Sequence, residues 1–395
     1  KALAKQLLMT TLRRYNQLDS VINPMLDKPL GPKGLPVTLW MMLGAAQILF
    51  MNVENYAAVN TTVEMVSRDR KSSVRAKKNL VNAILRNITR EFDTIKFSIQ
   101  EKPKEALAPW LRERWEKQFD EKILLDIISE VIKEPKLDLS FQSLKALEDF
   151  ALKFNGTVLK PLTLRLTPQG PIEKMRGFKS GLWWVQDIAA SIPVHLMGDV
   201  RGKSVLDLCA APGGKTLQLL SKGASVISVD KSITRVKILR NNLKRLGKES
   251  TVIVEDALNY KPKELFDTIL LDAPCSATGT LRKHPDLMLL KNGESIKSLF
   301  SIQEKLLKHA FNLLKSNGTI IYCVCSLEQE EGIDQISNFL EKTPTAKRVK
   351  ILKDELGILN ESLTPLGDVF ILPTHIKEQG GADGFYISRI TKTID

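Results

Sequence analysis

Apolar positions in the first third of the chain return at helical spacing. Leu39, Met42, Leu43, Ala46, Leu49 and Phe50 form one stripe, Val59, Val63 and Val66 a second, and Leu80, Ala83, Ile84, Leu85 and Ile88 a third. Pro24, Pro29, Pro32, Pro36, Pro103, Pro109 and Pro135 fall in connecting stretches and punctuate these patterns. Residues 1–136 are therefore expected to form an all-helical bundle. From about residue 139 the texture changes. A helical stretch at 140–154 leads into 163–167, which alternates like a strand, and then into a turn cluster at 168–171. Residues 137–180 read as a small α+β connector domain or as the entry to the next domain. In the remainder, 181–395, short apolar runs at 204–208, 225–229, 251–254, 268–271 and 319–322 alternate with helical patterns at 216–220, 232–246, 298–314 and 332–340. That alternation predicts a parallel sheet covered on both faces, an α/β fold. Ligands in such folds bind beyond the carboxyl ends of the strands, so the loops after Leu208, Val229, Val254, Leu271 and Tyr322 are the candidate site.

Composition narrows the class. A chain of 395 residues with 43% apolar content can fill two or three domain cores. Lys and Arg number 58 against 45 Asp and Glu, a net charge of +13, which fits a polyanionic partner such as RNA. The alternative is a solvated lysine-rich surface, but the charge is concentrated: Arg68, Arg70, Lys71, Arg75, Lys77 and Lys78 crowd around a single acid, Asp69. The four cysteines, Cys209, Cys275, Cys323 and Cys325, lack framework spacing, and no signal peptide or membrane-length apolar run is read, so a reducing, cytoplasmic setting is expected. Neither the cysteines nor the scattered His195, His284, His309 and His375 have zinc-site spacing, and no metal is expected.

Residues 205–216 read Val-Leu-Asp-Leu-Cys-Ala-Ala-Pro-Gly-Gly-Lys-Thr, a strand running into a glycine turn and a helix start. The end resembles a phosphate-binding loop, but that pattern requires glycine where this chain has Cys209. What remains is a turn whose glycines let the backbone approach a ligand closely. Asp230, at the next strand end, is positioned to take both hydroxyls of a ribose. Asp256, ending the third strand, is positioned for an adenine amine. With Asp207 these acids suit an adenosine ligand without phosphates, such as S-adenosylmethionine. The competing reading is that Asp207 and Asp256 only cap the following helices.

Two further segments place a cysteine after a strand-like run: Leu-Asp-Ala-Pro-Cys-Ser-Ala-Thr-Gly at 271–279 and Ile-Tyr-Cys-Val-Cys-Ser-Leu at 321–327. Together with 207–216, Cys-Ser-Leu-Glu-Gln-Glu-Glu at 325–331, Trp184-Val-Gln-Asp187 and Asp383-Gly-Phe-Tyr386, they resemble the motifs of the RNA cytosine-5 methyltransferases of the NOL1/NOP2/Sun group. Leu43-Gly-Ala-Ala-Gln-Ile-Leu-Phe50 and Ala57-Ala-Val-Asn60 resemble the NusB-like RNA-binding domain. That pairing is similar to bacterial small-subunit ribosomal RNA methyltransferases. Small departures are Ala277, where the family usually has glycine, Cys323, where Ser or Thr is commoner, and Tyr56, which replaces a frequent His.

The resemblance implies a Rossmann-like methyltransferase domain that uses S-adenosylmethionine to methylate carbon 5 of a cytosine in ribosomal RNA, expectedly 16S, as a monomer without a membrane or metal partner. Carbon 5 is a poor nucleophile until a thiolate adds at carbon 6 and makes it enamine-like. The residues alone do not decide whether Cys275 or Cys325 attacks, since DNA cytosine methyltransferases use the Pro-Cys cysteine. The resemblance implies Cys325 as nucleophile, Cys275 in release of the adduct, and Asp272 and Lys215 engaging the base. It implies cofactor contacts from Cys209, Ala210, Ala211, Pro212, Gly213, Gly214, Lys215, Asp230, Arg235, Asp256 and Asp272. Lys215 and the dipole of a helix beginning after Cys325 are expected to favour the thiolate. Arg282 and Lys283, after the Cys275 loop, are read with 68–78 as candidates for RNA phosphates, against a solvated basic loop. Two rivals remain. One is an amino-group methyltransferase, which favours an Asn/Asp-Pro-Pro-Phe/Tyr loop absent here. The other is a non-catalytic NusB-like RNA-binding or antitermination factor, which would leave the cysteine motifs decayed.

Overall fold

The computed structural model describes residues 2–160, 162–167 and 170–394, so Pro168 and Gln169 of the expected turn cluster lie outside the described residues. Two compact units divide the chain: 1–133 together with 284–290, and 134–283 together with 291–395.

The first unit is built from helices, including Leu35–Phe50, Asn55–Ser67, Lys78–Arg90 and Glu121–Val131. In Lys78–Arg90 the side chains of Val81, Ile84, Leu85 and Ile88 are buried, and Lys78, Asn79, Arg86 and Arg90 are exposed. Leu85 packs so closely on Leu35–Phe50 that a Cβ at Gly44 would lie 2.5 Å from its Cδ1. Pro36 and Pro109 do not lie between helices as expected. Each occupies a first turn, where the missing N–H has no helical partner to lose. A second correction concerns apolar length. Pro32–Phe50 is long and apolar enough, by length and composition, to cross a membrane. Met41, Met42, Ala45, Ala46 and Leu49 of that stretch are buried in the core of this unit.

The second unit holds two sheets. The smaller is antiparallel, in the order β2-β3-β1-β4, from β1 (Leu137–Phe141), β2 (Thr157–Leu159), β3 (Thr163–Leu166) and β4 (Trp183–Val185). Its fourth strand lies beyond residue 180, and the helix expected from 140 starts at Leu144, because Ser140 pairs with Thr163 inside β1. Asp138 of β1 takes Arg165 Nε and Nη2 at 2.7 Å each and the Ile188 N–H at 3.1 Å, which ties this sheet to the start of the larger one's helical cover.

The larger sheet contains β5 (Ser204–Leu208), β6 (Ser225–Asp230), β7 (Thr251–Val254), β8 (Phe266–Asp272), β9 (Leu314–Val324), β10 (Ala346–Arg348), β11 (Val369–Ile371) and β12 (Phe385–Lys392). The order is β10-β12-β9-β8-β5-β6-β7, with β11 on β12. The strands β7-β6-β5-β8-β9 are parallel as predicted, and β12 adds antiparallel to β9. Alternate residues of the central strands enter different cores. Val205, Leu270 and Ile321 pack on one side, whereas Leu206, Ile269 and Ile320 pack with Leu307, Phe311 and Ile336 on the other. With both faces buried the strands read as unbroken apolar runs, which made them visible in the sequence. The helix expected at 298–314 is Gly293–Asn312, since Leu314 already begins β9. The chain leaves β5 toward β6 and β7, then returns to β8 on β5's other side. The ends of β5 and β8 therefore mark the topological switch point.

Candidate active site

A cleft of about 410 Å³ opens at the carboxyl ends of these strands. Cys209, Asp230, Arg235 and Asp256 line one part, and Asp272, Cys275 and Cys325 another. Asp230 ends β6 with its carboxylate fixed: one oxygen accepts the Ala211 N–H at 3.1 Å, the other the Ser232 N–H at 2.9 Å. Each oxygen retains capacity for a further donor, as a pair of ligand hydroxyls requires. Arg235 stands 3.6 Å from Asp230 and donates to the Ala211 carbonyl. Asp256 accepts the Leu258 N–H at 3.0 Å and still faces the cleft.

Within the glycine turn, Cys209 (φ 61°) is on the cleft wall, while Ala210 and Ala211 pack behind it against Leu239 and Leu243 and Pro212 is exposed. Gly213 has φ 103°, and a Cβ there would meet Leu239 Cγ at 2.9 Å, so this position needs glycine. Gly214 begins the helix Gly214–Ser221. Asp207 does not join the other acids. It is fully buried and accepts the Thr216 hydroxyl at 2.6 Å, and burial pushes its carboxyl up to about 7. Its role is to tie the strand to the helix.

The cysteines come together because β8 and β9 are parallel neighbours with Asp272 opposite Cys323, so the loops that follow them run side by side. Cys275 Sγ and Cys325 Sγ are 3.4 Å apart. Lys215 Nζ donates to Asp272 Oδ2 at 2.8 Å and lies 5.1 Å from the centre of the Phe385 ring. Burial alone would lower the Lys215 ammonium, but the Asp272 charge, with the Cys323 and Cys325 sulfurs, outweighs it and holds the group charged. The Cys275 thiol is raised well above the ordinary range, first by its hydrogen bond to Cys325 and then by burial. Burial, followed by nearby carboxylates, raises Cys323 strongly and Cys209 to about 12. Three of the four cysteines are thus kept as thiols. The fully buried Cys323 packs in the core, its Sγ 3.5 Å from Asp272 Oδ1. The expected helix dipole is not at hand. After Cys325 the chain makes one 3₁₀ turn, Gln329–Glu331, and the α-helix starts only at Ile333, beyond the range over which a dipole acts strongly. Lys215 places a positive charge near the Cys323 and Cys325 sulfurs.

Residues 195–391 match the family described as 16S rRNA methyltransferase RsmB/F, and residues 1–90 match the NusB family. The ribosomal RNA small subunit methyltransferase B of Salmonella arizonae is 34% identical over 96% of this chain and 91% of its own. The chain belongs to that methyltransferase family. A methyltransferase homologue from Pyrococcus horikoshii superposes with TM-score 0.58 at 25% identity, covering 71% of this chain and 94% of its own. The crystal structure of PH0851 reaches TM-score 0.79 over 99% of this chain and 90% of its own, and at 21% identity it shares the fold.

For a member of this family the candidate RNA-binding residues fall into two groups. Arg68, Arg70, Lys71, Arg75, Lys77 and Lys78 are all exposed. Their loop is organised by Asp69, which accepts Trp40 Nε1 and the Lys71 N–H at 2.9 Å each. Arg282 and Lys283 must be withdrawn from the RNA-binding set. Arg282 is 2% exposed and donates to the Gly380 carbonyl at 2.7 Å. Lys283 donates to Asp187 and, at 2.9 Å, to Asp383. Burial would raise Asp187, yet Lys283 and Arg282 hold it well below the usual carboxylate range. These cations neutralise acids from the two flanking motifs.

Sequence reasoning gave no role to Glu331, the last residue of the 325–331 motif, and passed over Gln303. The Glu331 carboxylate collects donors from Ser276, Ser326 and Gln303. The available signal was a serine directly after each site cysteine and the acids that follow Cys325. Among the described residues, no group of three or more His, Cys, Asp or Glu is placed to hold a metal ion.

Proposed function

We propose that this protein is an S-adenosylmethionine-dependent 16S ribosomal RNA methyltransferase that acts on carbon 5 of a cytosine through a bond from Cys325 to carbon 6. The observation that carries the reading is a pair of thiols 3.4 Å apart on the wall of a cleft that also presents Asp230 and Asp256. The cofactor, when bound, supplies a methyl group on a positively charged sulfur. Asp230, Arg235 and Asp256, with the turn at 209–215, would hold it. The spare acceptor capacity on Asp230 fits the ribose hydroxyls.

The Cys325 sulfur adds to carbon 6, and the ring electrons move to carbon 5, which takes the methyl. Lys215 places a positive charge beside the attacking sulfur, and Asp272, held by Lys215, engages the base. A base then takes the carbon-5 proton, the electron pair of that bond re-forms the ring double bond, and the carbon 6–sulfur bond breaks to release Cys325 as a thiolate. Cys275, touching that sulfur, serves this release. Cytosine must leave its stack to reach the cleft, at a cost of a few kcal/mol that is smallest in a single-stranded loop. The exposed cations of 68–78 support a role in holding RNA phosphates.

Bisulfite sequencing of small-subunit ribosomal RNA tests the function. Cells lacking the gene should lose protection at one cytosine, restored by the wild-type gene and not by Cys325→Ala. An unchanged pattern would remove this activity from the protein.

A further inference from the structure

The β8–β9 ladder ends at Asp272 and Cys323, before either site thiol. Beyond it, the Gly279 N–H bonds to the Cys325 carbonyl at 3.1 Å and Leu327 N to Thr278 Oγ1 at 3.0 Å. Between these ties sits Glu331, fully buried. Its carboxylate accepts the Ser276 N–H at 2.9 Å, Ser276 Oγ and Ser326 Oγ at 2.5 Å each, and Gln303 Nε2 at 3.0 Å. Ser276 follows Cys275, and Ser326 follows Cys325, so one side chain grips the neighbour of each thiol. Gln303 also donates to the Pro274 carbonyl at 2.9 Å, on the other flank of Cys275. Glu331 is itself anchored, since Tyr322 of β9 donates its hydroxyl to the Glu331 carbonyl at 2.8 Å.

We infer that Glu331 is a positioning residue for methyl transfer, whose carboxylate fixes the separation of the Cys275 and Cys325 sulfurs. The inference rests on the assignment of both thiols to the reaction. Several donors from two loops and a helix converge on one acceptor, an arrangement that a carboxylate satisfies and a carboxamide, which brings an NH₂ of its own, does not. Burying a carboxylate is costly, and burial pushes this one upward. An apolar side chain would fill the same space without that cost. What it would lose is the bridge between the loops.

The test uses Glu331→Gln in the full chain, with two readouts. In methyl transfer to 16S ribosomal RNA, kcat should fall roughly a hundredfold, the scale of a misplacement of about 1 Å, while calorimetric affinity for S-adenosylmethionine and the KM for RNA stay at wild-type values. Without RNA, the azo oxidant diamide should close a Cys275–Cys325 disulfide in the wild type, taking both thiol hydrogens as it becomes the hydrazine. Closure, read by peptide mass, should be much slower in the variant. If Glu331→Gln does not fold, Ser276→Ala/Ser326→Ala should give the same two changes. Wild-type kcat and closure rate in the variant that folds would overturn the inference, as would parallel loss of cofactor affinity, which marks general destabilisation. Methyl transfer that survives Cys325→Ala would instead overturn the assignment of the thiols, and the diamide readout would still report on the bridge.

Discussion

The segment 68–78 and the pair Arg282–Lys283 are both basic and both looked suited to phosphates, but they lie in opposite environments. The first lifts six cations into solvent around one structured acid, Asp69. In the second, Arg282 is buried and Lys283 spends its charge on Asp187 and Asp383. A run of cations does not reveal its partners. The deciding residues are acids elsewhere in the chain, and only folding brings them close.

If that contrast is right, the largest effect belongs to the buried pair. Lys283→Ala should destabilise the fold by about 3 kcal/mol in denaturant melts, because it leaves two buried carboxylates to the more distant Arg282, 3.8–3.9 Å away. A midpoint equal to wild type would return Lys283 to the surface class. Asp207→Asn sharpens the comparison from the acidic side. The carboxyl rises from 3.8 to about 7 in the fold, so its stability contribution is complete below 3.8 and is lost as pH rises through 7. The melting temperature of the variant relative to wild type should therefore climb between about pH 4 and pH 7. A flat difference would mean that the group titrates normally. Reversing charges within 68–78 should have the smallest effect on stability, leaving the melt unchanged. RNA binding should weaken and its salt dependence flatten, by roughly one unit of slope per lost phosphate contact. An identical slope would make the segment a solvated face.

Much of this contrast explains what the sequence could reveal. The central strands β5, β8 and β9 were legible because burial on both faces leaves apolar runs, and the edge strand β7 by its β-branched residues, and the strand-end positions of Asp230, Asp256, Cys275 and Cys325 followed from them. β10 and β11 were not, being three residues long and paired antiparallel to β12. Ser140 read as helix because one polar residue in a buried strand breaks no helical pattern. Within the site, Asp207 is one residue short of the end of β5 and opposite Ser228, two residues deeper than Asp230, and that depth separates an acid that faces a ligand from one that braces a helix. Lys283 lies 96 residues from Asp187 and 100 from Asp383, separations that carry no local signal.

The account stands on the division of labour between two thiols, and covalent trapping addresses it most directly. Wild-type protein, Cys275→Ala and Cys325→Ala are incubated with 16S ribosomal RNA and S-adenosylmethionine, then run on a denaturing gel. Cys275→Ala should accumulate a protein–RNA band, because Cys325 adds to carbon 6 and release fails. Cys325→Ala should give no band and no methyl transfer while still binding S-adenosylmethionine. A trapped band with Cys325→Ala and none with Cys275→Ala would exchange the two roles and contradict the account.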